Sequence, residues 1–193
     1  KYLAKKYNIE IEETVQTDES KKLESQRESM FLIIKFATNF FHETLLKTSE
    51  GENIAKTYFF ERGINDESIK NFNLGYSPEK HDSFAMHAKK NKYSQDFLDK
   101  TGLVIYNANK GIDRFRGRVI FPIKSISGRI QGFGARLISE KSKKPKYLNS
   151  IESEIYQKSK ILYGIYESKQ AIAKNDLCYL VEGYTDVIQL HQS

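Results

Sequence analysis

Two apolar runs joined by a short turn constrain the fold of this chain more than any other feature. The runs RVIFPIK (118–124) and RIQGFGARLI (129–138) are rich in β-branched and aromatic residues, and Ser-Ile-Ser-Gly separates them. Two such runs on either side of a glycine-containing turn are typical of a β-hairpin. The sequence therefore predicts antiparallel strands at Arg118–Lys124 and Arg129–Leu137, with LVIYN (103–107) as a further strand.

Helical periodicity dominates the chain before this hairpin. Between Leu23 and Lys47, apolar residues recur at steps of three and four, which predicts one long helix with a broad buried face. The repeating residues are Met30, Phe31, Ile33, Ile34, Ala37, Phe40, Phe41 and Leu45. Shorter helices are predicted at 52–62, at 65–72 with an Asn65 cap, at 81–90, and at 95–100 after Ser94.

The C-terminal part returns to a helix, a strand and a helix. We predict a helix from Ile161 to about Lys174, a strand at Leu177–Val181 and a helix from Tyr184 to His191. Cys178 lies within that apolar strand and is expected to be a buried core thiol. The predicted class is α+β, with helices packed on an antiparallel sheet and a final strand and helix of α/β type. We expect a leader at 1–20, a main domain at 21–175 and a new domain at 176–193.

Composition excludes several classes of protein. Hydrophobic residues make up 39% of the 193 positions, enough to build a core. No apolar run approaches the ~20 residues of a membrane span, and the charged start of the chain contains no signal peptide. With 1 Cys, the chain can form neither an internal disulfide nor a cysteine-rich zinc site. We predict a reducing, cytoplasmic compartment, and the missing initiator Met suggests a fragment or a processed product.

Positive charge is concentrated in one block. Positions 110–160 carry 13 Lys and Arg against 4 Asp and Glu, although the net charge of the whole chain is only +6. A local excess of this kind favours a surface that binds a polyanion. A solvated charged face explains it equally well, so charge alone leaves both interpretations open.

Three arginines near the start of this block are candidate phosphate ligands. In DRFRGRV, Arg114, Arg116 and Arg118 alternate with other residues, and strand alternation would place them on one face. Guanidinium groups side by side repel one another unless an anion lies across them, and arginine suits bidentate phosphate contact.

The following strand and loop offer further candidates for contact with nucleic acid. Gly132 and Gly134 flank Phe133, and glycines within a strand mark a bulge or the close approach of another backbone. We expect that backbone to be nucleic acid, with Phe133 or Arg136 beside it. The basic loop KSKKPK then leads to Tyr147 and Asn149. The lysines of the loop would bind phosphates, and the ring of Tyr147 would stack on a base. None of these motifs is specific by itself.

Two carboxylates follow the last predicted strand. Glu182 comes directly after LCYLV, where the carboxyl end of a strand faces the ligand crevice of an α/β sheet. Asp186 falls in the first turn of the next helix, where the helix dipole favours an acid whether or not it has a function. Together they could hold Mg²⁺ with ligands from elsewhere.

Five ordered motifs resemble bacterial replicative DNA primases of the DnaG type. They are RFRGRVIFPI, GRIQGFGAR, PKYLNS, LYGIYESKQAI and VEGYTDVI, and the resemblance is strongest between Arg114 and Gln189. The leader KYLAKKYNIEIEE is similar to the segment between the zinc-binding and polymerase domains of such primases. VEGYTDVI is similar to the opening motif of the Toprim fold, which implies that 176–193 begins a truncated Toprim domain.

The resemblance implies synthesis of RNA primers on single-stranded DNA from ribonucleoside triphosphates. It implies that Glu182 is a catalytic acid/base or metal ligand, that Asp186 supports an Mg²⁺ or Mn²⁺ site, and that a basic ridge contacts template or nucleotide. That ridge comprises Arg136, Lys146, Tyr147, Asn149 and Lys158, with Arg114, Arg116 and Arg118 as companions.

The family resemblance also implies parts that this sequence lacks. Zinc is expected only in an N-terminal domain, contact with the replicative helicase only through a C-terminal domain, and further metal-binding acids only downstream, so the fragment alone should be inactive. Two alternatives are another Toprim enzyme, either a topoisomerase or a nuclease, and a non-catalytic module that binds single-stranded DNA.

Overall fold

The computed structural model describes residues 6–7, 17–108, 110–139 and 144–193. From residue 17 onward, seven α-helices follow one another in the described residues: α1 (Asp18–Lys47), α2 (Thr57–Phe60), α3 (Asp66–Asn71), α4 (Ser83–Lys90), α5 (Gln95–Lys100), α6 (Ile165–Asn175) and α7 (Tyr184–Gln192). The six strands are β1 (Gly75–Ser77), β2 (Val104–Asn107), β3 (Lys110–Asp113), β4 (Arg118–Lys124), β5 (Ile130–Leu137) and β6 (Tyr147–Asn149). Within the same residues, no helix is both long and apolar enough to cross a membrane.

The predicted hairpin forms the centre of a four-stranded antiparallel sheet. Its strand order is β1-β4-β5-β6, while β2 and β3 form a separate two-stranded sheet. In the hairpin, Val119 is paired with Arg136 and Phe121 with Gly134, and the register shifts between Ile123 and Lys124. The α+β class and the hairpin are therefore confirmed, whereas sequence analysis missed β1, β3 and β6.

Helices cover both faces of the main sheet, so β4 is buried along its whole length. Successive strand residues point to opposite faces. On one face, Ile120 belongs to a cluster with Phe41 of α1 and Phe84 of α4. On the other face, Val119 and Phe121 join a second cluster, which includes residues of α2, α3 and α7.

The long helix α1 begins earlier than its apolar pattern predicted. Its cap is Thr17, whose side chain accepts a hydrogen bond from the backbone N–H of Ser20. Asp18 and Glu19 lie in its first turn, where acids interact favourably with the helix dipole. The start at Asp18 corrects the predicted start at Leu23. The rest of the predicted 1–20 leader lies outside the described residues, apart from residues 6 and 7.

A π-helical turn precedes α2. The helix predicted at 52–62 is present, but Gly51–Lys56 is wound as a π-helix. Gly51 packs directly on the end of α1, since a Cβ at this position would collide with the backbone of Thr44 and Leu45. Wide turns of this kind occur frequently at functional sites.

The C-terminal segment corrects two predictions. Leu177–Val181 forms no strand, and Leu177, Tyr179 and Leu180 are largely exposed. Cys178 is exposed rather than buried. A strand needs a partner to satisfy its backbone groups, and none of the described strands pairs with this segment.

Helix α7 follows as predicted and packs back onto the domain. Ile188 is fully buried in the second core cluster. Gln192 accepts a hydrogen bond from the Ser68 hydroxyl at 2.8 Å, so the helix is joined to α3.

Candidate nucleic-acid and metal site

Strands β5 and β6 bring the predicted ridge residues together. Arg136 is directly opposite Tyr147, and Gly134 is opposite Asn149. The Arg136 guanidinium lies 5.4 Å from the centre of the Tyr147 ring and 5.3 Å from that of Tyr58. An arginine held between two aromatic rings keeps its charge in a fixed place.

A basic pocket of ≈ 620 Å³ opens on one side of this strand pair. Its cationic lining residues are Arg62, Arg136, Lys144 and Lys146. Arg62 lies 3.7 Å over the ring of Tyr58, which also lines the pocket. Four cations against one lining carboxylate, Glu61, make this pocket suited to an anionic ligand.

Two buried polar atoms in the basic pocket make no hydrogen bond within the described residues. They are the Tyr58 hydroxyl and Nε of Arg136. Burial raises the pKa of Tyr58, although the neighbouring Arg136 and Arg62 act in the opposite direction. The phenol therefore stays neutral at ordinary pH and can donate a hydrogen bond to an incoming anion.

Sequence analysis missed both Tyr58 and Arg62. Tyr58 lies on α2 and Arg62 in the turn that follows it. The apolar pattern predicted a helix over both residues but gave no sign that this helix faces β5. The PKYLNS loop and this helix meet only in the folded chain, so no local signal in the sequence could identify the pair.

A second pocket, of ≈ 610 Å³, contains both predicted carboxylates. Five residues predicted from sequence line this carboxylate pocket: Tyr147, Asn149, Lys158, Glu182 and Asp186. The first three are predicted nucleic-acid ligands and the last two predicted metal ligands. The residues predicted for the two functions thus line one cavity.

Tyr184 connects the carboxylates to the sheet. Its hydroxyl donates to Oδ1 of Asn149 at 3.1 Å, and its ring centre lies 4.5 Å from that of Tyr163. The neighbouring residues Gly183 and Asp186 also line the carboxylate pocket. Burial raises the pKa of Tyr184, which keeps its hydroxyl protonated and able to donate to Asn149.

The glycines in β5 have a different cause from the one predicted. A Cβ on Gly134 would collide with the ring of Tyr184, and one on Gly132 would lie 2.6 Å from the ring of Tyr156. Phe133 is fully buried in the core. The close approach at both glycines therefore comes from tyrosines of this chain, and Phe133 cannot stack on a base.

Glu182 and Asp186 are exposed and supply only carboxylate oxygens. Oxygen donors suit Mg²⁺ and Mn²⁺, so these residues fit a hard divalent cation. In the described part of the chain, no group of three or more His, Cys, Asp or Glu could hold a metal ion. The pair can therefore form only part of a metal site, and its other ligands would be waters or groups supplied from elsewhere.

The three arginines at 114–118 do not form the predicted row. Residues 114–117 make a turn, and β4 begins only at Arg118, so strand alternation does not apply to them. Arg118 is 3% exposed, and Arg114 and Arg116 are half-buried. None of the three lines either pocket. The expected common face of Arg114, Arg116 and Arg118 is therefore wrong.

Comparison with known proteins identifies the family. Residues 40–169 match the sequence model of the DNA primase catalytic core, N-terminal domain. The chain belongs to this family.

Curated relatives and solved structures agree with this assignment. The chain is 40% identical to a DNA primase of Halalkalibacterium halodurans over 188 residues, which cover 96% of this chain and 31% of that protein. It is 36% identical to a DNA primase of Synechococcus elongatus, covering 98% of this chain and 28% of that protein. The chain thus spans about a third of the length of these relatives.

Among solved structures, the fold resembles the RNA polymerase domain of Mycobacterium tuberculosis primase DnaG, with a TM-score of 0.80 and 30% identity over 86% of this chain and 53% of that one. A DnaG primase catalytic domain bound to ssDNA has a TM-score of 0.77 and 34% identity, covering 87% of this chain and 53% of that one.

Proposed function

We propose that this chain is the part of a primase catalytic core that holds single-stranded template and nucleotide beside the first catalytic carboxylate. One observation carries the proposal. Glu182 and Asp186 line the same pocket as Tyr147, Asn149 and Lys158, and Arg136 is paired with Tyr147 at the border of the basic pocket. A primase needs its nucleic-acid ligands close to its metal-binding acids, because the metal must contact the phosphates of the chain that the enzyme extends.

In the whole protein, the proposed reaction joins ribonucleoside triphosphates into a short RNA primer. A bound Mg²⁺ or Mn²⁺ would supply charge stabilisation for the transferred phosphoryl group and the leaving pyrophosphate. Glu182 would accept the proton of the attacking 3′-hydroxyl or act as a metal ligand, and Asp186 would orient the same site. The cations of the basic pocket would bind phosphates, and the exposed ring of Tyr147 would stack on a base.

Two relatives support binding of nucleic acid by this region. Structures exist of a DnaG primase catalytic domain bound to ssDNA and of the M. tuberculosis polymerase domain in complex with double-stranded DNA. Both have a similar fold, and their alignments cover 87% and 86% of this chain, respectively. We propose that the chain binds single-stranded DNA through the basic pocket and Tyr147.

Binding to DNA can be tested directly through its salt dependence. Affinity for a labelled single-stranded oligonucleotide should fall steeply with salt, because each phosphate neutralised on a single strand contributes about −0.7 to the log–log slope. Lys146→Ala should weaken binding and flatten the slope by about 0.7. Lys90→Ala, an exposed lysine on α4 away from both pockets, is the matched control and should change neither. An affinity that does not vary with salt would contradict the proposal.

The catalytic assignment requires the full-length protein. Glu182→Gln should abolish primer synthesis there, because an amide neither accepts the proton nor binds a cation as a carboxylate does, and DNA binding should be unchanged. A full-length Glu182→Gln protein that still makes primers would show that Glu182 is not catalytic, and would favour the alternative in which this chain is a non-catalytic module that binds single-stranded DNA. Membership of the primase family argues against the other alternative, a topoisomerase or nuclease.

Further features of the whole protein follow from the same proposal. We expect zinc in a domain N-terminal to this chain, a helicase contact in a C-terminal domain, a bacterial cytoplasmic location, and additional Toprim acids after Asp186. The domain limits at 1–20, 21–175 and 176–193 stay predictions. The isolated chain should bind DNA and make no primer, which a primer-synthesis assay on the purified chain would test.

A further inference from the structure

Arg118 is a buried cation without a carboxylate partner at ion-pair distance among the described residues. Burial lowers its pKa, Glu79 opposes that effect from a distance, and the nearby Arg114 reinforces it. Burying an unpaired charge is costly unless hydrogen bonds compensate. The compensation comes from two carbonyls: the guanidinium donates to the oxygen of Pro145 at 2.7 Å and to that of Lys146 at 3.2 Å.

Those two carbonyls belong to the segment that delivers the ligand-binding side chains. Lys146 lines the basic pocket, and Tyr147, the next residue, lines the carboxylate pocket. The Lys146 carbonyl also accepts the N–H of Leu137 at 2.8 Å. One planar guanidinium thus fixes two successive peptide groups where the basic loop enters β6.

A second contact holds the same loop from the side of β1. Lys144 donates to Oε1 of Glu79 at 3.2 Å. The Glu79 carboxylate fits against Gly117, where a Cβ would collide with it, and Gly117 has φ +69°. Gly117 therefore leaves room for the Glu79 carboxylate, and the next residue, Arg118, holds the loop.

We propose that Arg118 is a positioning residue, which clamps residues 145–146 so that Lys146 and Tyr147 face their pockets. This inference rests on the proposed function of those pockets. It differs from a direct phosphate contact, because Arg118 is 3% exposed and lines neither pocket. Its two observed donations are already directed at protein oxygens.

The first test does not depend on DNA. In Arg118→Lys, one ammonium cannot reproduce the fork that spans two carbonyls. Amide hydrogen exchange at Leu137, whose N–H donates to Lys146, should become about tenfold faster. Exchange at the β1–β4 pairs that do not contain Arg118, Gly75 with Ile120 and Tyr76 with Val119, should stay unchanged, which separates a local opening from general loss of fold. Unchanged exchange at Leu137 would overturn the clamp.

The second test measures binding of a labelled single-stranded oligonucleotide. Arg118→Lys should weaken binding about tenfold in the otherwise wild-type chain. In a Lys146→Ala/Tyr147→Ala background it should have no further effect, because the clamp acts through those two side chains. An equal loss in both backgrounds would mean that Arg118 touches the DNA itself, and no loss in either would mean that the loop position is irrelevant. Both results overturn the proposal.

A further variant and an unrelated lysine complete the design. Glu79→Gln weakens the Lys144 contact and removes the attraction between Glu79 and Arg118, so it should loosen the loop in the same direction by a smaller factor. Lys90→Ala should alter neither readout. If the wild-type chain binds no single-stranded DNA, the proposed function fails and the binding role of Arg118 fails with it, while the exchange measurement still decides whether Arg118 holds the loop.

Discussion

The contact between Gly134 and Tyr184 can be tested by adding one methyl group. Gly134 has no positive φ, so its backbone conformation accepts alanine, which would by itself be favoured over glycine by about 0.5–1 kcal/mol. The added Cβ would, however, collide with the Tyr184 ring and lie 2.9 Å from its Cζ. Ordinary contacts of a Cβ begin near 3.4 Å, and Cε2 of the ring lies closer to the added Cβ than Cζ does, so the ring must move by roughly 1 Å.

The ring has little freedom to move. Its centre lies 4.5 Å from the ring centre of Tyr163 and 5.5 Å from that of Phe121, and its hydroxyl donates a hydrogen bond to Asn149. Overpacking of this kind costs about 1–3 kcal/mol. We therefore expect Gly134→Ala to lower the free energy of unfolding by about 1 kcal/mol, the middle of the overpacking range less the gain of leaving glycine.

A double-mutant cycle in urea isolates the contact. The four proteins are the wild type, Gly134→Ala, Tyr184→Ala and the double variant, with unfolding followed by circular dichroism. In the Tyr184→Ala background the collision is gone, so alanine at 134 should be neutral or stabilising, which gives a coupling of about 2 kcal/mol. Gly111→Ala, which also crowds its neighbours but lies on β3, is the matched control and should be additive with Tyr184→Ala.

Additivity at Gly134 would refute the reasoning. If the methyl group costs the same with and without the ring, then Tyr184 is not what requires glycine in β5. The cost of the methyl group would then have to come from another neighbour of Gly134 within the folded chain.

Two further predictions concern buried charges. Asp113 is 3% exposed and accepts the backbone N–H groups of Phe84 and Ala85, and burial raises its pKa to about 6. Since the folded state then holds its proton more tightly than the unfolded chain, this group should cost up to about 3 kcal/mol of stability as pH rises from about 4 to about 6. The difference in unfolding free energy between wild type and Asp113→Asn, measured across this pH range, should fall accordingly, and a flat difference would contradict the assignment. Glu167→Ala should cost about 3–5 kcal/mol in urea unfolding, because it leaves the Lys124 ammonium, now paired at 2.6 Å, buried without its carboxylate. Glu167→Gln should cost less, and an equal cost for both would argue against a charge effect.

The sequence was most informative where structure is local. The β4–β5 hairpin and helices α1, α4 and α7 follow from patterns within a few residues of each other. The strands β1 and β6 have three residues each, too few to show alternation, and their pairing depends on distant partners. Leu177–Val181 has the composition of a strand, but a strand forms only when a partner accepts its hydrogen bonds.

The candidate site divides in the same way. Motif resemblance selected Glu182, Asp186, Tyr147, Asn149 and Lys158, and the fold places these five around one pocket. Whether they act as proposed stays a prediction. Tyr58 and Arg62 could not be found, since only tertiary packing brings their helix against β5.

The error at Arg118 has an identifiable physical origin. Strand alternation was extended back to Arg114, into residues that form a turn. The predicted strand itself began at Arg118, as β4 does, so the alternation had no strand to follow before that residue. Arg118 lies on β4, which is buried along its whole length, so an arginine assigned to phosphate is found inside the protein.

The exposed segment Leu177–Val181 has a practical consequence for work with this chain in solution. It is a run of five uncharged, proline-free residues with high β-propensity, and Leu180 is 80% exposed. Unpaired segments of this composition are templates for intermolecular strand pairing. We therefore expect concentrated samples to self-associate through this segment. A single charge introduced by Leu180→Lys, outside both pockets, should raise the concentration at which light scattering first appears.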